Sequence, residues 1–164
     1  MALLASLLLA ITTTTDPTPA TARWTIETVE NGFLTTDHRT LTISSDGRYE
    51  FGPRTGTDEY CRPKSGTVAH LAAFDSAVRS AWSEPWALHY ENKKVLDGSV
   101  LLFRLVGYDD GGHVIAKKTA IIENPRLPGA ELLPPGLRSL KALSAPYAVC
   151  ESAKERPAPG QTPY

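Results

Sequence analysis

The sequence predicts an α+β domain: a mostly antiparallel sheet in the order βββ-α-βββ-α, helices covering one face, and one disulfide. Three observations carry this expectation. Short runs rich in β-branched and aromatic residues stop at Gly-containing turns, at Asn31-Gly32, Asp46-Gly47 and Asp109-Asp110-Gly111-Gly112. One stretch repeats apolar residues at intervals of three and four, at Val68, Leu71, Phe74, Val78 and Ala81 or Trp82. Only two cysteines are present, Cys61 and Cys150.

Taken in order, residues 24–30 form the first strand and end at Asn31-Gly32. Residues 39–44, with Leu41 and Ile43 on one face, form the second. After Asp46-Gly47, residues 48–51 form a third, which puts Tyr49 and Phe51 on one face. Residues 52–66 carry no period and hold Pro53, Gly56, Cys61 and Pro63, so they read as a long loop. Thr67 is the expected N-cap of the main helix, and Pro85 ends that helix near Ser83. Trp86, Leu88 and Tyr90 alternate with Ala87 and His89, which predicts a strand directly after the helix. Residues 100–108 and 113–122 form a hairpin around the Asp-Asp-Gly-Gly turn. Residues 124–135 make a proline-stiffened loop, after which Leu137, Leu140 and Leu143 mark a short helix that ends at Pro146.

The ends of the chain differ from this body. Residues 2–11 are apolar apart from Ser6, and Ala20-Thr21-Ala22 fits the small-x-small rule for signal cleavage. Residues 1–22 are therefore expected to be a signal peptide, 23–150 a single domain, and 151–164 a disordered Pro-rich tail. No basic side chain opens the segment, so either the start lies upstream of Met1 or the signal is atypical. Loss of Asp16 with the signal leaves 17 basic side chains against 17 acidic ones. Export to the periplasm or the medium favours oxidation, so Cys61 and Cys150 are expected to pair. Such a bond would stabilise by about 4 kcal/mol in the chain-entropy model.

Composition excludes several roles. The net charge of −1 supplies no basic field to gather phosphates, which argues against nucleic acid as a partner. No apolar run approaches the ~20 residues of a membrane span. No G-x-S-x-G, Walker loop or G-x-G-x-x-G is present, and Lys64-Ser65-Gly66 lacks the S-x-x-K partner of penicillin-binding enzymes. His38, His70, His89 and His113 have no H-E-x-x-H spacing, and Asp109-Asp110-Gly111-Gly112 reads as turn chemistry rather than a metal loop. Asp58-Glu59 and the acidic residues of 91–97 read as solvated loop charges. No catalytic residue, metal or cofactor is expected.

Two binding surfaces are expected instead. Trp82, Trp86 and Tyr90 gather at a helix-to-strand corner, where they serve either as core or as a groove for a sugar or peptide. The loops at 52–66 and 124–136, the latter carrying Arg126 and Leu127, are stiffened by Cys61 and by four prolines. Both would lose little entropy on docking to a target.

The succession of residues 41–51, the Leu71/Phe74 helix, Asp97 leading the 100–108 strand with Asp110-Gly111 behind it, and Leu133-Pro134-Pro135-Gly136-Leu137-Arg138-Ser139-Leu140 resembles the emfourin-like group. These are small bacterial domains, some of which inhibit thermolysin-type metalloproteases. The resemblance covers the order of elements over residues 41–143. The Gly-Gly-Phe-like opening of that group is replaced here by Asn31-Gly32-Phe33, and no functional residue is carried over. The signal segment, the stiffened loops and the absence of motif chemistry lead to the expectation of an exported, non-catalytic binding protein that inhibits a periplasmic or extracellular hydrolase, with a protein partner in the cell envelope or medium; the resemblance only prompts the inhibitor activity. The alternatives are a small-molecule or glycan-binding module, an immunity protein against a periplasmic toxin, or an enzyme using His38, His89 or His113.

Overall fold

A computed structural model describes residues 23–31, 38–53, 61–91, 99–123 and 132–150. The expected signal segment and the Pro-rich tail lie outside these residues. One seven-stranded sheet is built from β1 (Arg23–Asn31), β2 (His38–Ser44), β3 (Arg48–Pro53), β4 (Lys64–Thr67), β5 (His89–Tyr90), β6 (Val100–Tyr108) and β7 (Val114–Glu123), with apolar and polar residues alternating most clearly along β1, β2 and β6. Its order is β4-β3-β2-β1-β6-β7-β5. Every pair is antiparallel except β5 with β7. The order of elements is thus βββ-β-α-βββ-α, one strand richer than the sequence predicts.

Register explains the core. Ile26 of β1 sits opposite Ile43 of β2 on one side and Leu105 of β6 on the other. Leu41 pairs with Phe51, and Phe103 with Ala120, on the same face. Helices α1 (Leu71–Ser83) and α2 (Pro135–Ser144) cover that face, and Phe74, Val78, Leu137 and Leu140 join the sheet residues in one buried cluster. Each such side chain contributes about 1.5–3 kcal/mol when fully buried. A 3-10 turn, Ala145–Tyr147, extends α2 through Pro146.

The two tight turns follow their local chemistry. Gly47 adopts φ +84 and Gly112 φ +83, the left-handed region that glycine enters without a Cβ penalty. Asp46 Oδ1 accepts from the Arg48 N–H, and Asp109 Oδ1 from the His113 N–H.

Three expectations need correction. Residues 64–67 are strand β4 rather than loop, and residue 53 still belongs to β3. Thr67 does not cap the helix, because its backbone pairs opposite Arg48 at the end of β4. The helix starts at Leu71 with His70 at the N-cap, and no side chain caps it. In the run from Trp86 to Tyr90 only His89 and Tyr90 form strand, and Leu88 is 64% exposed instead of packed. Pro85 and the hydrogen bond from the Ala87 N–H to the Tyr90 hydroxyl hold that run back on itself.

Cys61 and Cys150 are joined across a sequence separation of 89, with Cα atoms 4.7 Å apart. Cys61 is fully buried, so the bond ties the approach to β4 to the segment that follows the 3-10 turn. Among the described residues, no helix is long and apolar enough to cross a membrane.

Candidate functional site

One helix–sheet interface has two chemically distinct ends, and the aromatic residues expected to act lie at only one of them. At the first end lie Trp82, Trp86 and Tyr90. Lys118 points inward from β7, opposite Leu105 in register, and so meets the end of α1 rather than solvent. Its ammonium donates to the carbonyls of Ala81 (2.8 Å), Trp82 (2.9 Å) and Glu84. It also lies 5.9 Å from the Trp82 ring centroid and 5.7 Å from that of Trp86. The last carbonyls of a helix have no partner within it, and a cation there also meets the negative end of the helix dipole. Burial pushes the Lys118 ammonium below the usual lysine range, and the nearby Glu84 charge pulls it partway back.

Glu84 acts in the opposite sense. Its carboxylate accepts from the Gly136 N–H (2.9 Å) and the Leu137 N–H (2.8 Å), the first donors of α2. Trp86 Nε1 donates to the same carboxylate at 3.2 Å, and its ring meets Phe103 edge-on at 6.1 Å. Pro134 at the α2 N-cap has no side-chain oxygen to offer, so a residue from the end of α1 does the capping. Gly136 permits the approach, since a Cβ there would sit 2.5 Å from the Ala81 nitrogen. The aromatic corner is thus engaged in joining α1, α2 and β7.

The histidines lie apart from one another. His38 Nδ1 is hydrogen-bonded to Asn31 Oδ1, and His70 is exposed at the start of α1. His89 Nε2 lies 3.0 Å from Glu123, and His113 Nδ1 lies 3.2 Å from Asp109. Hydrogen bonds from the His113 backbone, with its ring adding to them, hold the Asp109 carboxyl below its ordinary range. Among the described residues, no three His, Cys, Asp or Glu side chains cluster as metal ligands would. Arg126 and Leu127 lie outside the described residues, as do 54–60 of the first long loop.

At the second end the interface opens into a cavity of about 510 Å³. The strands supply one wall: Thr28 and Glu30 of β1, Arg39 of β2, and Leu101 and Phe103 of β6. Register places them side by side, Thr28 opposite Phe103 and Glu30 opposite both Leu101 and Arg39. The other wall is one stripe of α2, Arg138, Lys141 and Ala142 at helical spacing, continued by Ala145 of the 3-10 turn and by Ala148, Val149 and Cys150. Alanines at 142, 145 and 148 leave the space that longer side chains would fill.

The polar groups of this cavity are placed by the fold. Arg138 donates from Nη2 to the Leu133 carbonyl at 3.0 Å, which fixes its guanidinium. Burial lowers the pKa of Lys141. Ser144 is 3% exposed, and its hydroxyl has no hydrogen-bond partner among the described residues. An unsatisfied buried hydroxyl costs about 1–3 kcal/mol. Sequence reading did not single out this site. The available signal was charge in the inward phase of two strands: Glu30 continues the phase of Ile26 and Thr28, and Arg39 that of Leu41 and Ile43.

No family model, curated protein or solved structure matches the chain.

Proposed function

We propose that the chain is an exported binding module whose working part is the cavity between β1, β2, β6 and α2, where it holds a small, largely apolar molecule. The observation that carries this reading is the cavity itself. Its volume of about 510 Å³ falls in the range of ligand pockets, ~300–1,000 Å³, and aliphatic and aromatic walls surround a few fixed polar groups. Export is supported by the signal-like residues 1–22 and by the disulfide, which persists in oxidising compartments. The expectation of a hydrolase inhibitor or an immunity protein rests on two loops of which 54–60 and 124–131 lie outside the described residues, and no observed feature favours it over the cavity.

The test uses Nile red, an uncharged dye that brightens in apolar surroundings, titrated into the oxidised chain. Saturable brightening at one dye per chain is expected, and it should be lost in Ala148→Phe, which fills the cavity. Equal brightening in the filled variant, with an unchanged circular dichroism spectrum, would move binding elsewhere and remove the reading.

A further inference from the structure

We infer that the occupant of this cavity is an uncharged amphiphile, an apolar body with one hydroxyl or carbonyl oxygen that pairs with the Ser144 hydroxyl. The inference rests on the binding-module reading and adds the chemical class. A serine inside a helix ordinarily turns to water or bonds back to the carbonyl one turn earlier. Ser144, the last residue of α2, does neither. It is 3% exposed, its hydroxyl has no hydrogen-bond partner among the described residues, and it lines the cavity. Alanine in its place would remove the unmet hydroxyl, so this group serves an occupant rather than the empty fold. Thr28, also buried, brings a second neutral hydroxyl to the strand wall. The charged groups of the cavity stand differently. Glu30, Arg39, Arg138 and Lys141 each already interact with another group, so none of them calls for a charge on the occupant. Glu30 and Arg39 are opposite each other in register, and Arg138 donates to the Leu133 carbonyl. An ionic head would have to displace such interactions or lie buried without them against Leu101, Phe103 and Ala148. A sugar would leave most of its hydroxyls unpaired against the same walls, and a plain hydrocarbon would leave Ser144 without a partner.

Displacement of Nile red from the intact, oxidised chain tests the class with four probes built on one phenylalkyl body: phenylbutanol, benzylacetone, phenylbutanoate and butylbenzene. Phenylbutanol or benzylacetone should bind at least about tenfold more tightly than phenylbutanoate, because a buried carboxylate gives up its hydration. Which of the two neutral probes is held better identifies the oxygen as hydroxyl or carbonyl. Ser144→Ala should weaken that probe about fivefold, the loss expected for one neutral hydrogen bond, and leave butylbenzene unchanged. An equal loss for butylbenzene, or no loss for the neutral probe, would overturn the hydrogen bond to Ser144. Phenylbutanoate binding as tightly as phenylbutanol would overturn the uncharged head while leaving the cavity reading intact. Dye that binds but yields to none of the four probes would overturn the class as well. Nile red that fails to bind at all would remove the binding-module reading itself.

Discussion

The two ends of the helix–sheet interface use the same device to opposite effect. At each end the inward face of the sheet carries charge, Lys118 on β7 at one and Glu30 with Arg39 on β1 and β2 at the other. At the first end the charge meets the end of α1, and carbonyls of Ala81, Trp82 and Glu84 accept its hydrogen bonds. At the second, α2 turns small and cationic residues toward the strands, and a hollow remains. An inward charge on a strand therefore needs its facing partner before it can be read as architecture or as site. Close packing at one end also holds the other open, since α2 is anchored at its N-terminus by Glu84 and at its far end by Cys150.

The largest expected effect comes from cutting the far anchor. Replacing both cysteines with Ser should lower stability by about 4 kcal/mol in urea melts at pH 7, read against the oxidised parent. Hydrogen exchange should then quicken along 145–150 before it does in α1. Uniform quickening would show that the two ends are not independent and would break the comparison. Lys118→Met comes next. It keeps the length of the side chain but leaves the helix-end carbonyls unsatisfied, for a loss of about 1–3 kcal/mol in the same melts. Stability unchanged by that substitution would show that water replaces the ammonium without cost. The smallest effect belongs to Ser144→Ala. Removing a buried hydroxyl that lacks a partner should leave stability unchanged or raise it by up to about 1 kcal/mol. A loss of more than that would reveal a hydrogen bond the hollow end was thought to lack.

Local chemistry made much of the fold legible in the sequence. Asp46-Gly47 and Asp109-Asp110-Gly111-Gly112 fold within a few residues, so their hairpins follow from turn preferences alone. The disulfide was legible because two cysteines allow one pairing. Strand β4 was not, since Lys64-Ser65-Gly66-Thr67 shows no apolar alternation and gains its conformation from pairing with β3. The same pairing overrode the capping preference of Thr67. The aromatic corner was visible as a cluster, but its role depended on Lys118, which is 36 positions from Trp82 in sequence. The cavity was the least legible feature. Arg138 and Lys141 meet Thr28 and Glu30 only through a register that brings β6 beside β1.

The bond from Cys61 to Cys150 also makes the greater part of the domain a covalent ring, with β4 to β7 and both helices inside it and β1 to β3 outside. A protease that cuts one peptide bond between positions 62 and 149 therefore opens the ring without dividing the molecule. The pieces stay attached until a reductant arrives, held at the same concentration relative to each other as before the cut. In surroundings rich in peptidases and poor in thiols, a single cleavage would leave both walls of the cavity on one molecule.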